Sequence, residues 1–160
     1  MIRAAIAPSP HYQRKDSKMP KTIEDLVNQP HHTPEQKAKA QNVMDFYTYL
    51  FDAEKADIDK ATALMGETYI QHNPMIPDGV AGLRSWAPDR AKEGTRFEFH
   101  NLIIDGDHVV VHLHLFRIQD TTGRGEAGVD IFRFENGKIV EHWDVIQPVP
   151  AQALNGNTMF

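Results

Sequence analysis

Apolar residues first settle into a clear rhythm between Val43 and Phe51, where Val43, Phe46, Tyr47, Leu50 and Phe51 recur at helical spacing. Upstream, Thr33-Pro34-Glu35-Gln36 supplies a capping hydroxyl, a proline at the first helical position and a Gln three residues after the cap. Together they predict a helix that starts at Thr33. A second, shorter helix is expected after Asp57, with Ile58, Ala61, Leu64 and Met65 inward and Gly66 ending it. A third is expected after Asp78, with Val80, Leu83 and Trp86 on one side and Pro88 as a kink or early stop. Between these two lies Tyr69-Ile70-Gln71-His72-Asn73-Pro74, read as a connecting segment because Pro74 disfavours helix at Asn73.

From Arg96 onward the period changes to two. The alternation predicts strands over Arg96–Asp105, His108–Gln119, Glu126–Glu135 and Lys138–Gln147, joined by Gly106-Asp107, a loop at Thr121–Gly125 and a turn at Asn136-Gly137. Helices followed by a run of hairpins imply an α+β fold with an antiparallel sheet rather than a doubly wound parallel one.

Residues 1–32 carry Pro8, Pro10, Pro20 and Pro30 among polar positions. They are read as an extension with a short helix near Thr22–Asn28, ahead of a domain spanning 33–160. The 160 residues suit one domain with a sizeable core. A formal net charge of -5 offers no global basic surface for nucleic acid, and Arg14, Lys15, Lys18 and Lys21 read as a solvated tail. The chain has no cysteine, which excludes disulfides, thiolate metal sites and cysteine nucleophiles. No apolar stretch is long enough for a bilayer, and the run Met1–Ala7 is too short for a signal-peptide core, so a cytoplasmic location is expected. Phosphate-binding glycine loops, a dinucleotide fingerprint, a serine elbow and an HExxH motif are all missing from the sequence, and no cofactor is expected.

Three places hold candidate chemistry. His112 and His114 lie two apart on one strand face, about 7 Å from each other, with Val110 and Phe116 beside them. They read as pocket lining or packing in preference to metal ligands. On the last strand, Val140, His142, Asp144 and Ile146 alternate onto one face and Ile139, Glu141, Trp143 and Val145 onto the other. A His and an Asp on an otherwise apolar face need partners, or else serve as a tuned proton-transfer pair. On the preceding strand, Asp130 joins them only if the hairpin register allows. A two-residue loop at Asn136-Gly137 would pair Asp130 with Trp143; a three-residue loop would pair it with His142 and set Asp144 against Gly128. Only the second of these registers was expected to gather Asp130, His142 and Asp144. His72, among Tyr69, Ile70, Pro74, Met75 and Ile76, is placed near the mouth of the fold.

Tyr69-Ile-Gln-His-Asn-Pro74, then Asp78-Gly79 with Gly82-Leu83, and the ending Asp130-Ile-Phe-Arg-Phe-Glu-Asn-Gly-Lys-Ile-Val-Glu-His-Trp-Asp-Val145 resemble the SnoaL-like branch of the NTF2-like superfamily. The resemblance runs from Thr33 to the C-terminal end of the sequence. It implies an NTF2-like cone, with N-terminal helices packed on a curved antiparallel β-sheet. It includes polyketide cyclases that close rings by intramolecular aldol condensation without a cofactor. It implies a catalytic aspartate at Asp144 and a pocket histidine near His72. Fourteen positions before Asp144 the pattern carries histidine, whereas this chain has Asp130. The expected function is thus acid–base chemistry on a small apolar carbonyl compound, by aldol closure or isomerisation. Asp144 would serve as base and His72 or His142 as donor, Asp130 would orient a histidine or share a proton, and Trp86, Phe116 and Phe132 would form apolar walls. The alternatives are a non-catalytic binding or dimerisation module and a metal enzyme using His112, His114 and a further His or Asp. A homodimer is expected from the open sheet face, with Ala151–Phe160 over the pocket mouth or across the partner.

Overall fold

The computed structural model describes residues 19–160. The expected basic tail at Arg14, Lys15 and Lys18, the two early prolines and the apolar run at the start of the chain lie outside the described residues. The elements are α1 (Ile23–Val27), α2 (Pro34–Phe51), α3 (Ile58–Ala63), β1 (Met65–Gln71), α4 (Gly79–Glu93), β2 (Thr95–Asp105), β3 (His108–Arg117), β4 (Glu126–Glu135) and β5 (Lys138–Pro148).

The caps read from the sequence are formed. Thr33 accepts from the Gln36 amide while the Gln36 side chain accepts from the Thr33 amide, so two of the four orphan donors at the start of α2 are satisfied reciprocally. The Asp57 carboxylate accepts from Asp59 and Lys60 and starts α3. Pro88 lies inside α4 without ending it.

The strands form one five-stranded sheet in the order β1-β5-β4-β3-β2. It is curved and unclosed, antiparallel except at one edge, where β1 runs parallel to β5. The sequence reading missed β1. Met65 and Gly66, expected to end a helix, instead begin this strand, because the edge of β5 offers ladder partners that local propensity does not record.

The core lies between the concave sheet face and the helices. Val43, Met44, Phe46, Tyr47 and Leu50 of α2 meet Val109, Val111, Leu113 and Leu115 of β3 and Phe132 and Phe134 of β4. The packed unit starts earlier than Thr33: Leu26 is fully buried in this core and Lys21 bridges to Phe99.

Candidate functional site

The register of the β4–β5 hairpin differs from both alternatives posed by the sequence. Asn136 and Gly137 take positive φ, 50° and 73°, and form a two-residue turn closed by Glu135 opposite Lys138. Phe134 then pairs with Ile139 but Arg133 pairs with Glu141, so Val140 is an inserted residue in β5. Beyond it, Phe132 faces His142 and Asp130 faces Asp144. The insertion also corrects the face assignment: Ile139, not Val140, belongs to the main core. The same bulge keeps His142, Asp144 and Ile146 on the concave face with Asp130. The cluster is therefore built by a two-residue turn plus a bulge, not by a three-residue loop.

These side chains open into a cavity of about 770 Å³. Its apolar walls include Phe46, Phe51, Trp86, Phe97, Phe132 and Ile146, and its polar end carries Tyr69, Gln71, Asn73, Asp130, His142 and Asp144. The buried Tyr47 hydroxyl donates to Asp130 Oδ2. The Asn73 amide nitrogen lies 2.8 Å from Asp144 Oδ1 and 2.7 Å from Oδ2 and donates to that carboxylate. Asn73 is itself oriented, since its Oδ1 accepts from the Met75 amide at 2.8 Å. Gln71 is the hub. Its Oε1 accepts from the Asn73 amide at 2.8 Å, and that contact fixes the oxygen end. His142 Nδ1 lies 3.1 Å from the same oxygen and so carries a proton, which turns Nε2 toward Asp130 Oδ2 at 4.0 Å. The other end of Gln71, Nε2, donates to the Tyr69 hydroxyl at 2.9 Å.

Electrostatics keep both phenols protonated. Burial pushes the Tyr47 hydroxyl well above its ordinary value, and the adjacent Asp130 charge pushes it further. Burial also raises Tyr69, followed by the charges of Asp130 and Asp144. Both remain O–H donors across the physiological range. Neither Asp130 nor Asp144 pairs with a lysine or arginine among the described residues.

Of the residues singled out from the sequence, Asp130, His142 and Asp144 converge in the cavity, and Trp86 and Phe132 line it. His72 does not join them. Gln71, not His72, is the β1 residue level with His142 on the concave side. The alternation of the strand turns His72 outward, where Nε2 lies 2.9 Å from Glu141 Oε1 and the ring stacks on Trp143 at 4.7 Å. His112, His114 and Phe116 do not line the cavity either. On β3 the core takes Val109, Val111, Leu113 and Leu115, so the intervening side chains fall on the opposite face. Phe160 is there too, stacked on His114, rather than over the cavity mouth. The sequence reading missed Tyr47, Tyr69, Gln71 and Asn73. Tyr47 was assigned to packing by its helical spacing, and the other three lie on an unforeseen strand and the loop after it.

Asp130, His142 and Asp144 bring potential ligand atoms within 4.8 Å of one another. The Tyr47 and Asn73 donors already engage both carboxylates, an arrangement suited to holding anionic or proton-accepting groups without a cation.

A helix-backed, cone-shaped sheet enclosing an aromatic cavity is the NTF2-like fold. Solved structures share this architecture at low identity. One is a candidate polyketide cyclase from Bacillus cereus ATCC 10987, at TM-score 0.61 and 20% identity, covering 81% of this chain and 88% of that one. Another is an NTF2-like protein of unknown function from Burkholderia xenovorans LB400, at TM-score 0.60 and 16% identity, covering 76% and 91%. A third is a candidate SnoaL-like polyketide cyclase from Jannaschia sp. CCS1, at TM-score 0.58 and 19% identity, covering 74% and 91%. No curated protein gives a significant match. The SnoaL-like domain model matches residues 43–142, and the chain belongs to that family.

Proposed function

We propose that the protein is a cofactor-independent acid–base enzyme acting on a small, mostly apolar carbonyl compound. The observation that carries this reading is the pairing of Asp130 with Asp144 inside an aromatic cavity, each carboxylate held by a neutral donor. A carboxylate oxygen has two lone pairs, so Asp144 keeps acceptor capacity after both of its oxygens meet Asn73. In the proposed step Asp144 removes a proton from the carbon next to the substrate carbonyl. The C–H electron pair becomes the enolate double bond, and negative charge collects on oxygen. The Tyr69 hydroxyl accepts from Gln71, and its own proton points to no acceptor among the described residues, so it donates to that oxygen. Asp144 passes the proton it took to His142 Nε2, which Gln71 sets through Nδ1, and His142 delivers that proton to the product while Asp130 steadies the imidazolium formed in passing. The enolate carbon then attacks a second carbonyl within the same substrate, or is reprotonated at another carbon. Two copies joined through the outer sheet face, where Val129 and Val145 are exposed, belong to the same proposal.

The test uses aryl 1,3-diketones in heavy water as probes. Wild-type protein is expected to accelerate exchange of the α-hydrogens over buffer, and Asp144→Asn to lower the accelerated rate at least about tenfold. Equal exchange by wild type and Asp144→Asn would remove Asp144 from the mechanism. Tight binding of the probes without exchange would favour a binding module in the same cavity.

A further inference from the structure

The cavity has a second charged end, which the proposed chemistry does not use. Arg90, Arg117 and Glu126 line it, together with Thr95 and Trp86. The fold brings them there from three directions. Arg90 stands in the last turn of α4, and the Gly94 cap of that helix leads straight into β2 at Thr95. Thr95 pairs with Arg117 at the end of β3, and Leu115 pairs with Glu126 at the start of β4. Glu126 and Asp130 both line the cavity from β4, about 13 Å apart along the strand. The two acids and the two arginines therefore face one hollow from separate places along it.

Neither guanidinium is fully engaged. Arg117 donates from Nε to Glu126 Oε2 at 2.7 Å, and its two terminal nitrogens meet no acceptor among the described residues. Arg90 Nη1 lies 2.7 Å from Glu93 Oε2. The Nε of Arg90, on the other edge of the fork, is buried and has no hydrogen-bond partner among the described residues. Its guanidinium carbon lies 5.8 Å from the centroid of the Trp86 ring, which lines the same cavity. A buried N–H without an acceptor is costly, so turning that edge toward an acceptor in the cavity is favourable. The ion pairs to Glu93 and Glu126 are both part-exposed, and pairs of that kind hold their members weakly. The Nε–Nη2 edge of an arginine matches the two oxygens of a carboxylate, with two parallel N–H···O bonds.

We infer that Arg90, aided by Arg117, binds a carboxylate carried by the substrate, which is an aromatic keto acid. This rests on reading the cavity as the site of an apolar carbonyl compound, and adds the anionic group to that compound. Charge sets the orientation. Asp130 and Asp144 repel an anion from their end, while at the other end two arginines face one glutamate. The carboxylate is held at the arginine end, which leaves the carbonyl beside Asp144. Trp86, Phe97 and Phe132 offer aromatic faces to a ring. The Asp144 and Arg90 side chains take up part of the strand distance of about 13 Å, and an aromatic ring between carbonyl and carboxylate fills the remainder. A keto acid with its carboxylate bonded directly to the carbonyl is too short to reach both groups. Holding the far end of the substrate positions the reacting carbon and selects against neutral compounds of the same shape.

The probes are para-acetoacetylbenzoate and its primary amide, which keeps the shape and lacks the charge. Binding to the full-length protein is measured by calorimetry at low salt, where charge pairing is least screened. The wild type is expected to bind the acid at least about tenfold more tightly than the amide. Arg90→Gln should lose most of that preference and Arg117→Gln part of it. Both should bind the amide as the wild type does, which shows the cavity intact. Asp144→Asn should keep the preference. Equal affinities of the wild type for the two probes, or no binding of either, overturns the inference. So does a full preference in Arg90→Gln, or a loss of amide binding there equal to the loss of acid binding, which would make Arg90 a packing residue. The two readings of the cavity fail separately, because binding is read without turnover. Preference for the acid without α-hydrogen exchange keeps this inference and removes the catalytic reading; exchange without preference does the reverse.

Discussion

Asp130 on β4 stands directly opposite Asp144 on β5, and it does so because Val140 is inserted into β5 between the turn and the site. A regular ladder from the same Asn136-Gly137 turn would set Asp130 against Trp143. One extra residue thus converts an acid facing an indole into two acids facing a common cavity. Two carboxylates at this spacing need donors, and Tyr47 and Asn73 provide them from α2 and from the loop after β1.

Tyr47→Phe removes the donor to a buried carboxylate and leaves the ring packing intact. A loss of about 1–3 kcal/mol is expected at neutral pH, read as a lower urea midpoint with an unchanged m-value. Tyr47 and Asp130 act through one contact, so the losses in Tyr47→Phe and Asp130→Asn should not add in the double variant. Additive losses would detach Asp130 from the effect.

Asn73→Asp keeps an oxygen for the Met75 amide but turns the donor toward Asp144 into a second carboxylate. The carboxylate of Asp144 then loses its orienting donor and meets a like charge, so accelerated α-hydrogen exchange should fall at least about tenfold. Exchange equal to the wild type would show that Asn73 does not position Asp144 for the reaction.

His72→Ala tests the outward placement of His72. Its ring stacks on Trp143 and meets Glu141 on the side away from the cavity, so α-hydrogen exchange should match the wild type. What should change is Glu141. The His72 hydrogen bond, and then Arg133, hold its carboxyl below the usual value. A group depressed in this way contributes stability above its unfolded pKa and loses it as pH falls through the folded one. The variant should therefore show a smaller loss of stability on acidification below about pH 4.5. Lost exchange in His72→Ala would return this residue to the site.

Asp120 supports the loop that meets His114. Its carboxylate accepts from the Thr122 hydroxyl and from the Gly125 and Thr122 amides, which pull its pKa down to about 2. The loop's stabilisation is complete above the unfolded value of 3.8 and fades as pH falls toward about 2. Hydrogen exchange of the Gly125 amide should accelerate over that window relative to the intrinsic rate. In Asp120→Asn the amide should be weakly protected throughout. Unchanged protection in Asp120→Asn would show that the loop is held without the Asp120 carboxylate, through the contacts of Val149 and His114 with Gly125 and Arg124.

Local chemistry was enough to read much of this protein. Caps at Thr33 and Asp57, the apolar period of α2, the alternation of β2 to β5 and the Asn136-Gly137 turn each depend on residues close together in the chain, and each is present in the fold. The sequence also pointed to Asp130, His142 and Asp144, because acids and histidines on apolar strands stand out without knowledge of partners. Other features depended on contacts between distant segments. β1 exists because β5 offers an edge, and its alternation decides that Gln71 faces inward and His72 outward. Bulges at Val140 and His100 depend on ladders between strands, and a single inserted residue reverses which side chains share a face. Tyr47 looked like packing because a helical period reports only that a side chain is inward, whereas its bond to Asp130, 83 residues away, is made only when α2 lies across the sheet. Composition and periodicity thus determined the elements and the candidate acids; register and long-range hydrogen bonds, which no local pattern encodes, decided which of them meet.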